Sequence, residues 1–78
     1  MFSVSILDIE TAAVISQGTA YSVVLPGEEG ELSIFDFHQE MVSVLKKGVI
    51  RIDETPMVQI ERGIVRVDQN QLIILVEK

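Results

Sequence analysis

The chain predicts an all-β fold, a β-sandwich or flattened barrel of about nine to ten short strands. Three features carry that expectation. Apolar residues recur with period two in short runs, turn chemistry separates the runs every several residues, and no segment sustains a helical stripe. Met41 to Lys47 comes nearest to a helix, but Val42, Ser43 and Val44 suit a pleated surface and Gly48 follows too soon.

Phe2, Val4 and Ile6 alternate with Ser3 and Ser5, which puts the three apolar side chains on one face of a first strand. Asp8 to Thr11 is a polar turn, and Ala13–Ser16 is a second short strand that Gly18 closes. Tyr21–Leu25 is rich in strand-forming residues and should stop at Pro26 and Gly27, because proline cannot donate to a ladder and glycine permits positive φ. Leu32–Phe35 is a brief strand. The following Asp36–Glu40 interrupts it as a loop with a buried aromatic anchor. Met41–Leu45 comes next, then a Lys46-Lys47-Gly48 turn, then Val49–Asp53 with Ile50 and Ile52 on one face. Glu54-Thr55-Pro56 turns the chain again. Met57–Ile60 and Ile64–Val67 flank Glu61-Arg62-Gly63, and Asp68–Gln71 is a turn whose Asn and Asp tolerate left-handed angles. Leu72–Val76 is apolar at every position, as in a strand covered on both faces.

At 78 residues, numbered 1–78, this is a single small domain whose own core is only marginally sufficient. With 47% hydrophobic residues, a partner surface can supply part of the burial. Twelve acidic against six basic side chains give a net charge of −6, which argues against nucleic acid, since that partner demands Lys and Arg to replace counterions. The absence of cysteine and the single histidine leave neither disulfides nor a thiolate or imidazole metal site, and no cofactor is expected. No apolar run approaches the ~20 residues that span a bilayer. The amino terminus lacks the basic and long apolar regions of a signal, so the protein should remain in the compartment where it is made.

The most distinctive stretch is Pro26-Gly27-Glu28-Glu29-Gly30-Glu31-Leu32-Ser33-Ile34. Its glycines do not make a phosphate cradle, which needs backbone N–H groups and a lysine rather than a row of carboxylates. A twelve-residue calcium loop with a closing glutamate is also absent. What remains is an acidic turn, either simply solvated or presented to a basic partner. His38 has no nucleophile or second acid–base group in any recognisable pattern, so catalysis is not expected of it. Arg51 and Arg66 interrupt apolar runs at outward-facing positions, within reach of a cross-strand pair with Asp53 or Asp68.

The acidic stretch, followed by His38 and by Leu45-Lys46-Lys47-Gly48-Val49-Ile50-Arg51-Ile52, resembles the epsilon subunit of F-type ATP synthases. The family pattern there is a Gly-x-Glu-Gly-Glu-Leu-Gly-Ile turn, a histidine a few residues on, and a Lys-x-Gly-x-x-Arg-Ile strand. Gly63–Val67 and Asn70–Leu75 continue the match in order, over nearly the whole chain. The resemblance implies the amino-terminal β-sandwich domain of a non-catalytic rotor subunit, which links the gamma subunit to the c ring of a proton- or ion-translocating synthase and couples rotation to ATP synthesis. By that similarity Glu29, Gly30 and Glu31 face the c ring, while His38, Val42 and Val49 lie near gamma. The implied location is the cytoplasmic face of a bacterial inner membrane, touching lipid only indirectly through the c ring, with the plastid stroma as the other setting.

Two stretches depart from the family pattern. Asp36-Phe37-His38-Gln39-Glu40 stands where the family has Pro-Gly-His-Ala-Pro, and Glu61-Arg62-Gly63 stands where Ser-Gly-Gly is common. Family members usually also carry a carboxy-terminal helical hairpin that can inhibit ATP hydrolysis and in some binds ATP. The sequence given ends at Lys78, where the sandwich would end, so neither property is expected of it. The alternative reading is a free-standing β-sandwich that binds a sugar or peptide, against which the lack of tryptophan and the 5% aromatic content count.

Overall fold

The computed structural model describes residues 1–35 and 40–78. Nine strands follow one another without a helix among the described residues: β1 Phe2–Asp8, β2 Val14–Ala20, β3 Ser22–Gly27, β4 Gly30–Phe35, β5 Met41–Leu45, β6 Gly48–Ile52, β7 Thr55–Ile60, β8 Arg62–Asp68 and β9 Gln71–Glu77. They form one continuous ladder in the order β2-β1-β9-β8-β5-β3-β6-β7, with β4 on β3. The β1–β9 pair is parallel and the rest are antiparallel.

Period-two alternation turns this ladder into a sandwich. Every strand contributes at least one side chain to a single buried cluster, from Phe2, Val4 and Ile6 on β1 to Leu72, Ile74 and Val76 on β9. A ladder that shares one core among all its strands must fold over on itself, with inward faces opposed. Full burial of an aliphatic side chain such as Ile6, Leu25 or Ile50 contributes about 1.5–3 kcal/mol. No polar or charged side chain is buried among the described residues.

The fold-over lies where β3 leaves one layer for the other. Along one edge β3 pairs with β6 at Val23↔Ile52 and Val24↔Arg51. At its end it pairs instead with β5, through the one bridge Gly27↔Leu45. Two backbone bonds make that bridge: Glu28 N–H donates to the Val44 carbonyl (3.0 Å) and Lys46 N–H to the Pro26 carbonyl (2.8 Å). Two glycines allow the approach. A Cβ on Gly27 would stand 2.5 Å from the Gly30 carbonyl oxygen, and one on Gly48 would stand 2.6 Å from Pro26 Cβ.

Several boundaries differ from the sequence reading, each for a physical reason. β2 does not close at Gly18 but continues to Ala20, because Gly18 pairs with Val4 and a Cβ there would meet nothing within 4 Å. β3 does not stop at Pro26 and Gly27. Proline keeps its carbonyl as an acceptor, and Gly27 is needed for space rather than for positive φ, which falls on Gly30 at 138°. Thr55 and Pro56 belong to β7, an edge strand where a missing N–H is tolerated. The turn before β7 is instead Asp53-Glu54, both at positive φ as a two-residue hairpin demands. Between β8 and β9 the positive φ falls on Gln69, not on Asn70. β9 is not covered on both faces: Leu72, Ile74 and Val76 are buried, whereas Leu75 is 36% exposed. The expected aromatic anchor, Phe37, lies outside the described residues.

Arg51 and Arg66 face outward, as alternation requires. Arg66 meets Asp68 along its own strand (3.7 Å) rather than across strands. Asp53 has a different partner set: its Oδ1 accepts from Tyr21 N–H (2.8 Å) and Ser22 N–H (3.0 Å), pinning the start of β3 to the β6–β7 turn.

Gly48→Ala should lower unfolding free energy by about 1–3 kcal/mol through overpacking on Pro26, while Gly18→Ala should leave it unchanged or raise it by about 0.4–1 kcal/mol. Asp53→Ala should lower it by about 1–2 kcal/mol by removing the shared acceptor, with Asp53→Asn closer to wild type. Urea denaturation midpoints at constant slope check all of them.

Candidate functional site: the acidic turn

The β3–β4 hairpin closes at Gly27↔Gly30, so Glu28 and Glu29 form its two-residue tip and Glu31 is the second residue of the return strand. All three carboxylates are exposed. The described ion pairs are Lys47–Glu61, Arg62–Glu77 and Arg66–Asp68, and none of them engages the turn. Arg62 stands apart chemically: the hydrogen bond to Glu77, then the charge of that carboxylate, raises its guanidinium above the usual arginine range. It is a fixed cation remote from any proton-transfer role.

Because Glu28 N–H is bonded to β5, the tip is tied to both layers of the sandwich rather than hanging from β3 alone. Against it lies an open groove of about 480 Å³, bounded by Gly27–Leu32 on one side and by Val42, Ser43 and Val44 of β5 on the other. Val42 is 68% exposed and Val44 50% exposed. A second hollow of about 300 Å³ lies on the other side of the hairpin, where Glu31 meets Val49, Lys46 and Arg51.

The structure therefore brings Glu29, Gly30, Glu31 and Val42 to one groove. Val49 lines the neighbouring hollow, and Glu31 borders both. His38 lies outside the described residues. No three His, Cys, Asp or Glu side chains gather in a metal-binding arrangement among the described residues.

Sequence reasoning missed an apolar row on the outer face of the β2-β1-β9-β8-β5 layer. Val14, Leu7, Leu75, Ile64 and Val44 stand opposite one another across five strands. All but Leu7 are substantially exposed. The signal was present in Leu72–Val76: a strand apolar at every position has an outward set as well as an inward one.

The geometry defines a class first: a small all-β module whose distinctive feature is a surface, a rigid acidic corner beside exposed aliphatic side chains. Comparison with known proteins makes the class specific. Residues 1–78 match the family described as the ATP synthase delta/epsilon chain β-sandwich domain. The ATP synthase epsilon chain of Sulfurimonas denitrificans is 43% identical over 68 residues, covering 82% of this chain and 52% of the relative. That of Campylobacter lari is 33% identical over 78 residues, covering 95% and 60%. Among solved structures, a chain in the cryo-EM structure of the Tetrahymena thermophila mitochondrial ATP synthase central stalk and c ring superposes with a TM-score of 0.70 at 21% identity, covering 97% of this chain and 63% of that one. The chain belongs to the ATP synthase delta/epsilon β-sandwich family, and it spans about half the length of the Sulfurimonas relative.

If the carboxylates of the turn are free of structural duty, their reversal must leave the fold intact. Glu29→Lys with Glu31→Lys should keep the unfolding free energy, read from urea denaturation, within the ~0.5 kcal/mol expected of surface changes.

Proposed function

We propose that the chain acts as the sandwich domain of a non-catalytic central-stalk subunit in a proton- or ion-translocating F-type ATP synthase, linking the gamma subunit to the c ring. Membership of the delta/epsilon family supports the assembly, and the anchored acidic turn supports the manner of contact. Coupling rotation to ATP synthesis calls for a body that transmits force without yielding, and no reactive side chain is required for that. The bridge from Gly27 to Leu45 supplies stiffness at the corner where a contact would be loaded.

In this reading Glu29, Gly30 and Glu31 meet basic loops of the c ring, and His38, Val42 and Val49 lie toward gamma. Exposed carboxylates steer and register a basic surface, and their contribution weakens as salt rises. The module would sit peripherally at the cytoplasmic face of a bacterial inner membrane, reaching lipid only through the ring.

The observation that carries this reading is an acidic tip hydrogen-bonded to both layers yet outside every described ion pair. Co-purification from reconstituted stalk components tests it. Glu29→Lys with Glu31→Lys should reduce c-ring retention by at least about tenfold, equivalent to ~1.4 kcal/mol, while gamma stays bound. Val42→Asp with Val49→Asp should do the reverse. Unchanged retention in both variants would overturn the assignment.

A further inference from the structure

Among the described residues, three strands have a neighbour on one side only: β2 and β7 at the ends of the ladder, and β4 beside β3. A free edge is a row of unpaired backbone donors and acceptors, and soluble proteins guard it with charge, proline or a bulge. β7 carries Pro56 and a register irregularity against β6. β4 carries Glu31 and opens at the positive-φ Gly30. β2 has neither a charged residue nor a proline in its seven positions, Val14–Ala20. Its one guard is the register slip at Ile15, which leaves Ser16–Ala20 regular.

The hydrogen bonds fix which groups on that edge are free. Ser3 N–H in β1 and Ile9 N–H just past its end donate toward the β9 side, to the carbonyls of Asn70 and Val76, whereas Asp8 N–H donates toward β2, to Ala13. Even positions of β1 therefore turn their backbone to β2. They lie opposite Ala20, Gly18 and Ser16. The backbone N–H and C=O of Gln17 and Thr19 must then point out from the edge, and both residues are exposed.

We propose that the free edge of β2 receives an extended strand from the gamma subunit, bonded to the backbone of Gln17 and Thr19; this rests on the stalk function proposed above. Two observations favour that occupant over a second copy of the chain. Each copy carries a net charge of −6, which opposes self-association. The apolar row on the same layer also begins on β2, at Val14, so a segment laid along the edge stands beside four more aliphatic positions that a larger partner body covers as it continues. The strand it takes is extended, free of proline and not acidic, with backbone bonds supplying affinity.

Titration of the isotopically labelled chain with the purified gamma subunit tests this. On complex formation the amides of Gln17 and Thr19 should gain exchange protection, while those of Ser16, Gly18 and Ala20, already bonded to β1, should change far less. Gln17→Pro deletes only an outward donor and should keep the fold, yet weaken gamma binding by at least about tenfold. Thr19→Lys, which adds an edge charge, should weaken it as well if the proline variant does not fold. Should wild type fail to bind gamma, the stalk function falls and this inference with it. If wild type binds while Gln17 and Thr19 gain no protection and the variants bind as tightly, strand addition alone is wrong. Sedimentation showing a Gln17-dependent dimer of the isolated chain would assign the edge to a second copy and overturn the proposal.

Discussion

The structure depends on a close backbone approach at one corner. β3 cannot pair with both β6 and β5 unless the chain passes Pro26 and Gly48 within distances that leave no room for a side chain on Gly48, and unless Gly27 tucks under the Gly30 carbonyl. Those two positions turn a flat ladder into two opposed layers, and they set the acidic tip against β5. The core that fills the sandwich is ordinary in kind, aliphatic apart from Phe2 and without a buried polar side chain among the described residues. It could be repacked in several ways with modest loss. The corner could not, because Gly48 there abuts the rigid Pro26 ring and Gly27 abuts the Gly30 carbonyl, and neither neighbour can swing aside.

This arrangement explains how a domain of 78 residues can present a charged tip without that tip becoming a mobile loop. A two-residue turn on an isolated hairpin would be held by one ladder only, and such hairpins are marginal in water. Here Glu28 N–H is committed to Val44 and the turn inherits the rigidity of both layers. The carboxylates themselves make no described ion pair, so their charge is available to a partner. A surface that is stiff in its backbone and whose carboxylates lie outside every described ion pair suits registration of one body on another, in keeping with a family whose relatives are ATP synthase epsilon chains.

Much of this was legible in the sequence, and the reasons are particular. Phe2, Val4 and Ile6 alternate so cleanly that their burial was fixed by period two alone, and Arg51 and Arg66 faced outward for the same reason. The acidic turn was legible as a turn because two glycines and three glutamates fit little else. Strand ends were less so. Pro26 and Gly18 read as terminators when only local propensity is weighed, yet the first lies where its carbonyl alone is needed and the second lies on an edge strand with open space above it. The double role of Asp53, as turn residue and as acceptor for the start of β3, depends on contacts more than thirty positions apart in the chain, and no local pattern announces it. The free edge of β2 likewise appears only once the strand order is known.

The acidic tip is fixed to β5 through Glu28, and amide hydrogen exchange at that residue measures the attachment. Bonded to the Val44 carbonyl across the layer junction, this amide should exchange far more slowly than that of Glu29 at the same tip, and its protection should fall selectively in Gly48→Ala. Exchange of Glu28 at the rate of an unstructured amide, under conditions where the β1 and β9 amides stay protected, would contradict the account.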